Sequence, residues 1–226
     1  MKLSPIQREL IYGSMMGDAK RQSPRSCASV GFGQSEIQRY YLKWKSVILN
    51  NIMSKKGIHE CSRYDNRFGK VYTSHRFYCV ANSDVEEILT KFYKTGKKVI
   101  TQEILDNLTD FSLAVWYMDD GGTYWRVDKI ERGLNPAPGV KLCTDSFSRE
   151  ENLMICNWLK NKYNINSYIE SSRGRVQVNA DSVERFLNII KPHVIPPMLY
   201  KADYEAYKIW RKNKSDLNWF LKLPKT

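Results

Sequence analysis

Apolar residues recur every three to four positions in residues 5–17, at Ile6, Leu10, Ile11 and Met15. That period marks one face of a helix, with Ser4 as N-cap and Pro5 in the first turn, where its missing N–H costs nothing. Residues 35–53 carry the same period through Ile37, Tyr41, Trp44, Ile48 and Ile52, predicting one long amphipathic helix. Between the two, residues 28–32 alternate and predict a strand. Residues 58–64 and 71–80 predict a hairpin around Asn66-Arg67-Phe68-Gly69. Ser83 or Asp84 then caps a helix running to about Tyr93, and Lys94-Thr95-Gly96-Lys97-Lys98 makes a basic connector.

The order then repeats. Thr109 or Asp110 caps a helix over 111–119, and strands are predicted at 124–127 and 140–144 around a Gly/Pro loop, 133–139. Ser148 caps a helix to Tyr163, with Glu151 completing a capping box. Residues 166–170 and 175–179 predict a hairpin around Ser172-Arg173-Gly174, and 182–190 a last short helix. The order α-β-α-β-β-α, then α-β-β-α-β-β-α, argues for internal duplication. The strand missing from the first half is expected inside the basic loop 20–25. The organisation that follows is a first half over 1–96, a linker over 97–108, a second half over 109–200 and a tail over 201–226. From the end of the second half into the tail, Tyr200, Tyr204, Tyr207 and Trp210 recur at helical spacing, interleaved with Lys208, Arg211, Lys212 and Lys214. That pattern reads as a basic helix packing its aromatic face on the core.

Each half opens on an apolar run that ends in a carboxylate. The first is Leu10-Ile11-Tyr12-Gly13-Ser14-Met15-Met16-Gly17-Asp18-Ala19; the second is Leu113-Ala114-Val115-Trp116-Tyr117-Met118-Asp119-Asp120-Gly121-Gly122. Asp18 and Asp120 are 120 − 18 = 102 residues apart. The last carbonyls of a helix lack partners and carry the negative end of its dipole, so an acidic residue there is locally unfavourable. A cation reverses that penalty, and Mg²⁺ takes oxygen ligands of this kind. Gly13 and Gly17 share a helix face, and each costs about 1 kcal/mol in a helix interior, which points to a close approach of another backbone. Gly121-Gly122 can end the second helix and admit a phosphate backbone. The alternative reading of both runs is two ordinary core helices with solvated acidic ends.

Charge narrows the choice. Lys and Arg total 36 against 24 acidic residues, a net charge of +12, which favours a polyanionic partner: DNA, RNA or an acidic membrane surface. There is no apolar run of about 18 residues to cross a membrane, and residues 1–5 carry no long apolar stretch of the secretory kind. The five cysteines are scattered without a C-x-x-C pair, and His59-x-Cys61 lacks further ligands. That argues against a disulfide framework or a zinc ribbon and for a reducing, intracellular compartment.

Both apolar runs resemble the signature of the LAGLIDADG homing endonucleases in their single-chain, two-motif form. Trp116-Tyr117-Met118-Asp119-Asp120-Gly121-Gly122 resembles the W-x-M-D-D-G-G variant of one branch. Lys97-Lys98-Val99-Ile100 resembles the basic stretch before that branch's second motif. Leu142-Cys143-Thr144-Asp145-Ser146-Phe147 resembles its L-x-T-x-S-F strand end, and Ile195-Pro196-Pro197-Met198-Leu199-Tyr200-Lys201 its I-P-x-M-x-Y-K segment. The resemblance covers residues 6–201. It implies a mixed α/β fold of the α+β type, with two pseudo-symmetric αββαββα halves. Each half carries an antiparallel four-stranded sheet, the motif helices form the interface, and the sheets make a DNA-binding saddle.

The resemblance further implies a monomeric, site-specific nuclease hydrolysing double-stranded DNA at a long target with Mg²⁺, for which Mn²⁺ substitutes, and promoting intron or intein mobility. Asp18 and Asp120 match the motif's eighth position and are the implied catalytic metal ligands, assisted by the carbonyls of Gly17 and Asp119. Lys98 and Lys201 match basic residues near the site. Motif 1 has Gly13 and Gly17 where motif 2 has Val115 and Asp119, so an asymmetric crossing and unequal cutting of the two strands are expected. An intron-splicing maturase that binds intron RNA on the same scaffold is the alternative. A non-catalytic DNA-binding regulator is a third reading, against which both retained aspartates argue. The encoding genome stays open between an organelle and a microbe or phage.

Specificity is expected from strand residues facing the polymer. With Val176 and Val178 turned to the core, Arg175, Gln177 and Asn179 face outwards, and Lys141 and Asp145 join them. Arg25, Arg63, Arg67, Lys70, Arg126 and Arg173 fall in loops or strand ends, where they contact phosphates or stay solvated.

Overall fold

Two helices that are apolar on nearly every side have to be buried on nearly every side. In the computed structural model, which describes residues 2–23, 26–94, 96–125, 129, 131–134 and 138–224, these are α1 (Pro5–Met16) and α5 (Asp110–Asp120), packed on each other. The Gln7 side chain accepts from the backbone N–H of Ser4 (3.0 Å) at the start of α1, and the Thr109 hydroxyl accepts from Ser112 N–H (3.2 Å) at the start of α5. Leu10, Ile11, Met15, Leu113, Val115, Trp116 and Met118 are fully buried in the core.

Behind the pair lie two antiparallel four-stranded sheets. The first holds β1 (Lys20–Ser23), β2 (Ser26–Ser35), β3 (His59–Asp65) and β4 (Lys70–Tyr78), in the order β1-β2-β4-β3. The second holds β5 (Gly121–Tyr124), β6 (Gly139–Leu142), β7 (Ser167–Ile169) and β8 (Val176–Val178), in the matching order β5-β6-β8-β7. With α2 (Arg39–Ile48) and α3 (Ser83–Phe92) in the first half, and α6 (Arg149–Tyr163) and α7 (Val183–Ile190) in the second, each half reads αββαββα. A short α4 (Gln102–Asp106) lies between the halves, and α8 (Tyr204–Lys212) follows them. Among the described residues no helix is long and apolar enough to cross a membrane.

Directly paired strand residues share a face. Phe32 opposite Phe77 stacks on the inner face of the first sheet (4.8 Å between centroids), while Val140, Leu142, Val176 and Val178 form the inner face of the second. The outer faces then carry Gly31, Gly33, Arg76 and Tyr78 in the first sheet, and Gly122, Lys141 and Gln177 in the second.

The strand expected inside the basic loop is β1. The long helix predicted over 35–53 is broken into a 3₁₀ turn at 36–38, α2, and a second 3₁₀ turn at 50–52. The Gln7 amide, reaching from α1, donates to the carbonyl of Ile48 (2.8 Å), and Ile52 N–H bonds Leu49 instead (3.0 Å), so the ladder stops there. The strand predicted at 124–127 begins earlier, because Gly121 takes extended angles (φ −81°, ψ 155°) and turns α5 straight into β5; residues 126–127 lie outside those described. Asn82, rather than Ser83 or Asp84, caps α3, its side chain accepting from the N–H groups of Asp84 and Val85.

Candidate functional site

The crossing of α1 and α5 explains the unequal motifs. A Cβ on Gly13 would lie 2.4 Å from the Ser112 carbonyl oxygen and 2.8 Å from Val115 Cβ. One on Gly17 would lie 2.5 Å from Asp119 Cβ. The glycines of motif 1 are the hollows into which Val115 and Asp119 of motif 2 fit, so the asymmetry is complementary. The interior is packed too tightly for both helices to carry side chains at these two levels.

At the same end of the pair stand the two candidate carboxylates. Asp120 closes α5; Asp18 lies two residues past α1 and accepts from the Gln34 amide (2.9 Å). Burial, reinforced by the negative charges of Asp18 and Asp119, pushes the Asp120 carboxyl up to about 7, against the pull of Lys98 and Lys201. Lys98 Nζ donates to the carbonyls of Gly17 and Ala19, each at 3.0 Å. Lys201 Nζ donates to the carbonyls of Met118 (2.6 Å) and Asp119 (3.3 Å). Burial lowers both ammonium pKa values, while the three aspartates oppose the shift. Lys98 follows Asp18 by 98 − 18 = 80 residues, and Lys201 follows Asp120 by 201 − 120 = 81. Each helix end is therefore built twice: a carboxylate, the frayed carbonyls and a lysine seated on them.

Sequence reading missed Lys45 and Gln34. The Asp119 side chain is fully buried and takes Lys45 Nζ on both oxygens (2.7 and 2.9 Å), while the Gln34 amide reaches Oδ1 (3.1 Å) and Asp18 together. Burial, with the charge of Asp18, raises the Asp119 carboxyl pKa, and Lys45 counters it. The signal was there: Lys45 falls one helical turn after Tyr41, on the buried stripe of α2, where a lone charge needs a partner. With Asp119 committed to Lys45, the carboxylates of Asp18 and Asp120 are left as the charged donors, and the carbonyls of Gly17 and Asp119, each taking one lysine hydrogen bond, keep a second lone pair. Among the described residues no group of three His, Cys, Asp or Glu is placed to hold a metal. One or two carboxylates with carbonyl oxygens is a donor set that fits Mg²⁺ rather than a softer ion.

The outer sheet faces flank this end. Beside Asp18 a cleft of about 540 Å³ is lined by Lys20, Gln22, Gln34, Gln38, Arg76 and Tyr78 over the bare backbone of Gly31 and Gly33. Arg63 and Lys70 share that outer face, because their register pairs run in step with His59 opposite Arg76. Arg67 sits in the turn, paired with Asp65 (2.7 Å). On the second sheet Lys141 and Gln177 are direct neighbours, and Lys141 Nζ lies 4.4 Å from the Tyr124 ring centroid. Arg175 and Asp145 hold each other in an ion pair, Arg173 is exposed in the turn, and the amide oxygen of Asn179 is buried. Arg25 and Arg126 lie outside the described residues. Lys20, Gln22 and Arg76 were not anticipated, although the alternation of Tyr72, Ser74, Arg76 and Tyr78 against Phe77 would have exposed the last.

Residues 8–186 match the model of the LAGLIDADG DNA endonuclease family. The chain is 29% identical over 200 residues to the cytochrome b mRNA maturase bI2 of Debaryomyces hansenii, covering 85% of this chain and 72% of that one. It is 28% identical over 219 residues to the DNA endonuclease I-ChuI of Chlamydomonas applanata, covering 89% and 96%. It spans only 47% of the RecA protein of Mycobacterium gastri, which it also matches. Among solved structures, the homing endonuclease I-WcaI bound to its DNA recognition sequence superposes with a TM-score of 0.78 at 25% identity, covering 90% of this chain and 88% of that one.

Proposed function

This chain belongs to the LAGLIDADG DNA endonuclease family, and we propose that it is a site-specific, Mg²⁺-dependent endonuclease that cuts double-stranded DNA and promotes the mobility of an intron or intein. The observation that carries this reading is the doubled helix end: Asp18 with Lys98, and Asp120 with Lys201, side by side between two outward-facing sheets in one chain. Both halves of a two-strand cut are then available without a second copy, and a monomer suffices.

Asp18 and Asp120 are the residues to hold the divalent ion, with the carbonyls of Gly17 and Asp119 at hand; bound there, it supplies Lewis-acid stabilisation of charge on the phosphate and the leaving oxygen. Lys98 and Lys201 place two cations on the frayed carbonyls, each drawn by all three aspartates, where they offset the negative charge that builds up on a phosphate in hydrolysis. Their lowered pKa values also bring each amine nearer to exchanging a proton with water. Gln34 fixes the Asp18 rotamer. Lys20, Arg76, Lys141 and Gln177 offer donors suited to base edges and phosphates, and the net charge of +12 draws the polyanion in. Cys61, Cys79, Cys143 and Cys156 are unpaired, which supports a reducing compartment.

The test is cleavage of DNA carrying the sequence around the gene's own insertion point, with and without Mg²⁺. Cleavage that needs the ion and is lost in Asp18→Asn and Asp120→Asn supports the reading; intact binding with no cleavage sinks it. The likeness to a maturase favours a second reading, RNA binding on the same scaffold. Tighter binding of the host intron RNA than of the target DNA would favour it.

A further inference from the structure

The two site lysines are anchored differently. After Lys98 the linker is bonded to both halves: Val99 N–H donates to Phe92 (2.8 Å), and Ile100 N–H donates to the Glu151 carboxylate (2.6 Å) at the start of α6. Lys98 is thus gripped from both halves. Lys201 ends a 3₁₀ turn over Pro196–Lys201, and its carbonyl accepts from Tyr117 (3.1 Å) and Thr123, both of its own half. Such turns have poor hydrogen-bond geometry and lean on tertiary contacts.

Those contacts come from the C-terminal segment. The Tyr200 ring is stacked on Trp210 of α8 (4.5 Å between centroids, 15° between planes) and meets the nearly buried Trp219 edge-on (5.9 Å). Its hydroxyl accepts from the Gln38 amide of the first half (3.4 Å), and its carbonyl accepts from the Trp125 indole of the second (3.4 Å). Further along, the Tyr40 hydroxyl donates to Asn218 (2.6 Å), and the Tyr40 ring meets Phe220 edge-on (5.2 Å), closing the segment onto the start of α2. Tyr200, where both halves and the tail meet, is the residue next to Lys201.

We propose that residues 204–222 are a clasp that positions Lys201: by holding Tyr200 between Trp210, Trp219 and the first half, the tail supplies for Lys201 the cross-half grip that the linker supplies for Lys98. The proposal rests on the nuclease reading only for its effect on cleavage, and its first test does without activity. In the full chain, amine acylation followed by mass spectrometry reads how shielded each lysine is. Trp210→Ala should raise the labelling rate of Lys201 about tenfold and leave Lys98 within about twofold, and Trp210→Phe should restore protection, since the first variant removes the ring stacked on Tyr200 and the second keeps an aromatic face there. Unchanged Lys201 labelling overturns the clasp, as does an equal rise at Lys98, which marks general loosening. Strand-resolved cleavage follows: the strand slowed by Trp210→Ala should be the one slowed by Lys201→Met, with KM for DNA unchanged. A wild-type chain that labels as expected but cuts nothing counts against the nuclease reading and leaves the clasp standing.

Discussion

In the first half a lysine stands on the edge strand and a glycine on its neighbour, Lys20 opposite Gly31; in the second the same register pair is transposed, Gly122 opposite Lys141. Both pairs begin two residues after the motif aspartate, so the backbone repeats while the charge changes strand. The sheets differ in reach as well. Strands β2, β3 and β4 run for 10, 7 and 9 residues, against 4, 3 and 3 for their counterparts β6, β7 and β8. At about 3.3 Å per residue, the first sheet can follow far more of a polymer than the regular strands of the second. The carboxylate–lysine unit is common to both halves. The ion pair Lys45–Asp119 and the Gln34 bridge run from the first half to the second and have no mirror image, since Gly17 stands in motif 1 where Asp119 stands in motif 2. On the proposed reading, the two halves share what holds the reacting end and differ in the surfaces that select a partner.

The carboxylates shared by both halves carry the largest expected effect. Asp18→Asn and Asp120→Asn should each lower cleavage by about 10³-fold or more, measured by gel resolution of nicked and linear plasmid, since each removes a charged oxygen donor at the reacting centre. An effect of one without the other would show that the helix ends are not equivalent. The private ion pair comes next. Lys45→Met leaves a buried Asp119 charge without its partner and should cost about 3–5 kcal/mol in urea unfolding. Adding Asp119→Asn should recover much of that loss, and no recovery would refute the pairing.

The sheets are sharpened by binding assays on singly substituted DNA sites. Arg76→Ala should relax discrimination by about 1–3 kcal/mol at its own base position. Substitutions should be tolerated less over the half-site under the first sheet; equal tolerance would erase the difference drawn from strand length. The smallest effect is on pH. Asp120 keeps its proton in the folded chain up to about 7, whereas its ordinary value is 3.8. The folded state therefore binds more protons in that window, and stability of the metal-free protein should fall as pH rises through it and level off above. Asp120→Asn should flatten that part of the curve in thermal melts.

Much of this was legible from local pattern. The capping box of Ser148 and Glu151 and the alternation around Val176 and Val178 lie in the chain itself, whereas Lys98 and Lys201 stood out only through the family resemblance of the segments that carry them. What escaped depends on residues far apart. The break in the helix predicted over 35–53 is made by Gln7, 41 residues away, whose amide takes the carbonyl of Ile48. Lys45 and Asp119 are 74 residues apart, and the fit of Val115 over Gly13 crosses from one helix to the other. Periodicity reports which face is buried. It does not report which distant side chain arrives there.

The buried ion pair also bears on inheritance. Its acid comes from the second half and its base from the first, so neither half is electrically complete without this particular partner. A chimera that joined this second half to a foreign first half with an apolar residue in place of Lys45 would inherit an orphan charge in its seam. Grafts on this scaffold should therefore exchange outer-face residues freely and move Lys45 and Asp119 only as a matched set.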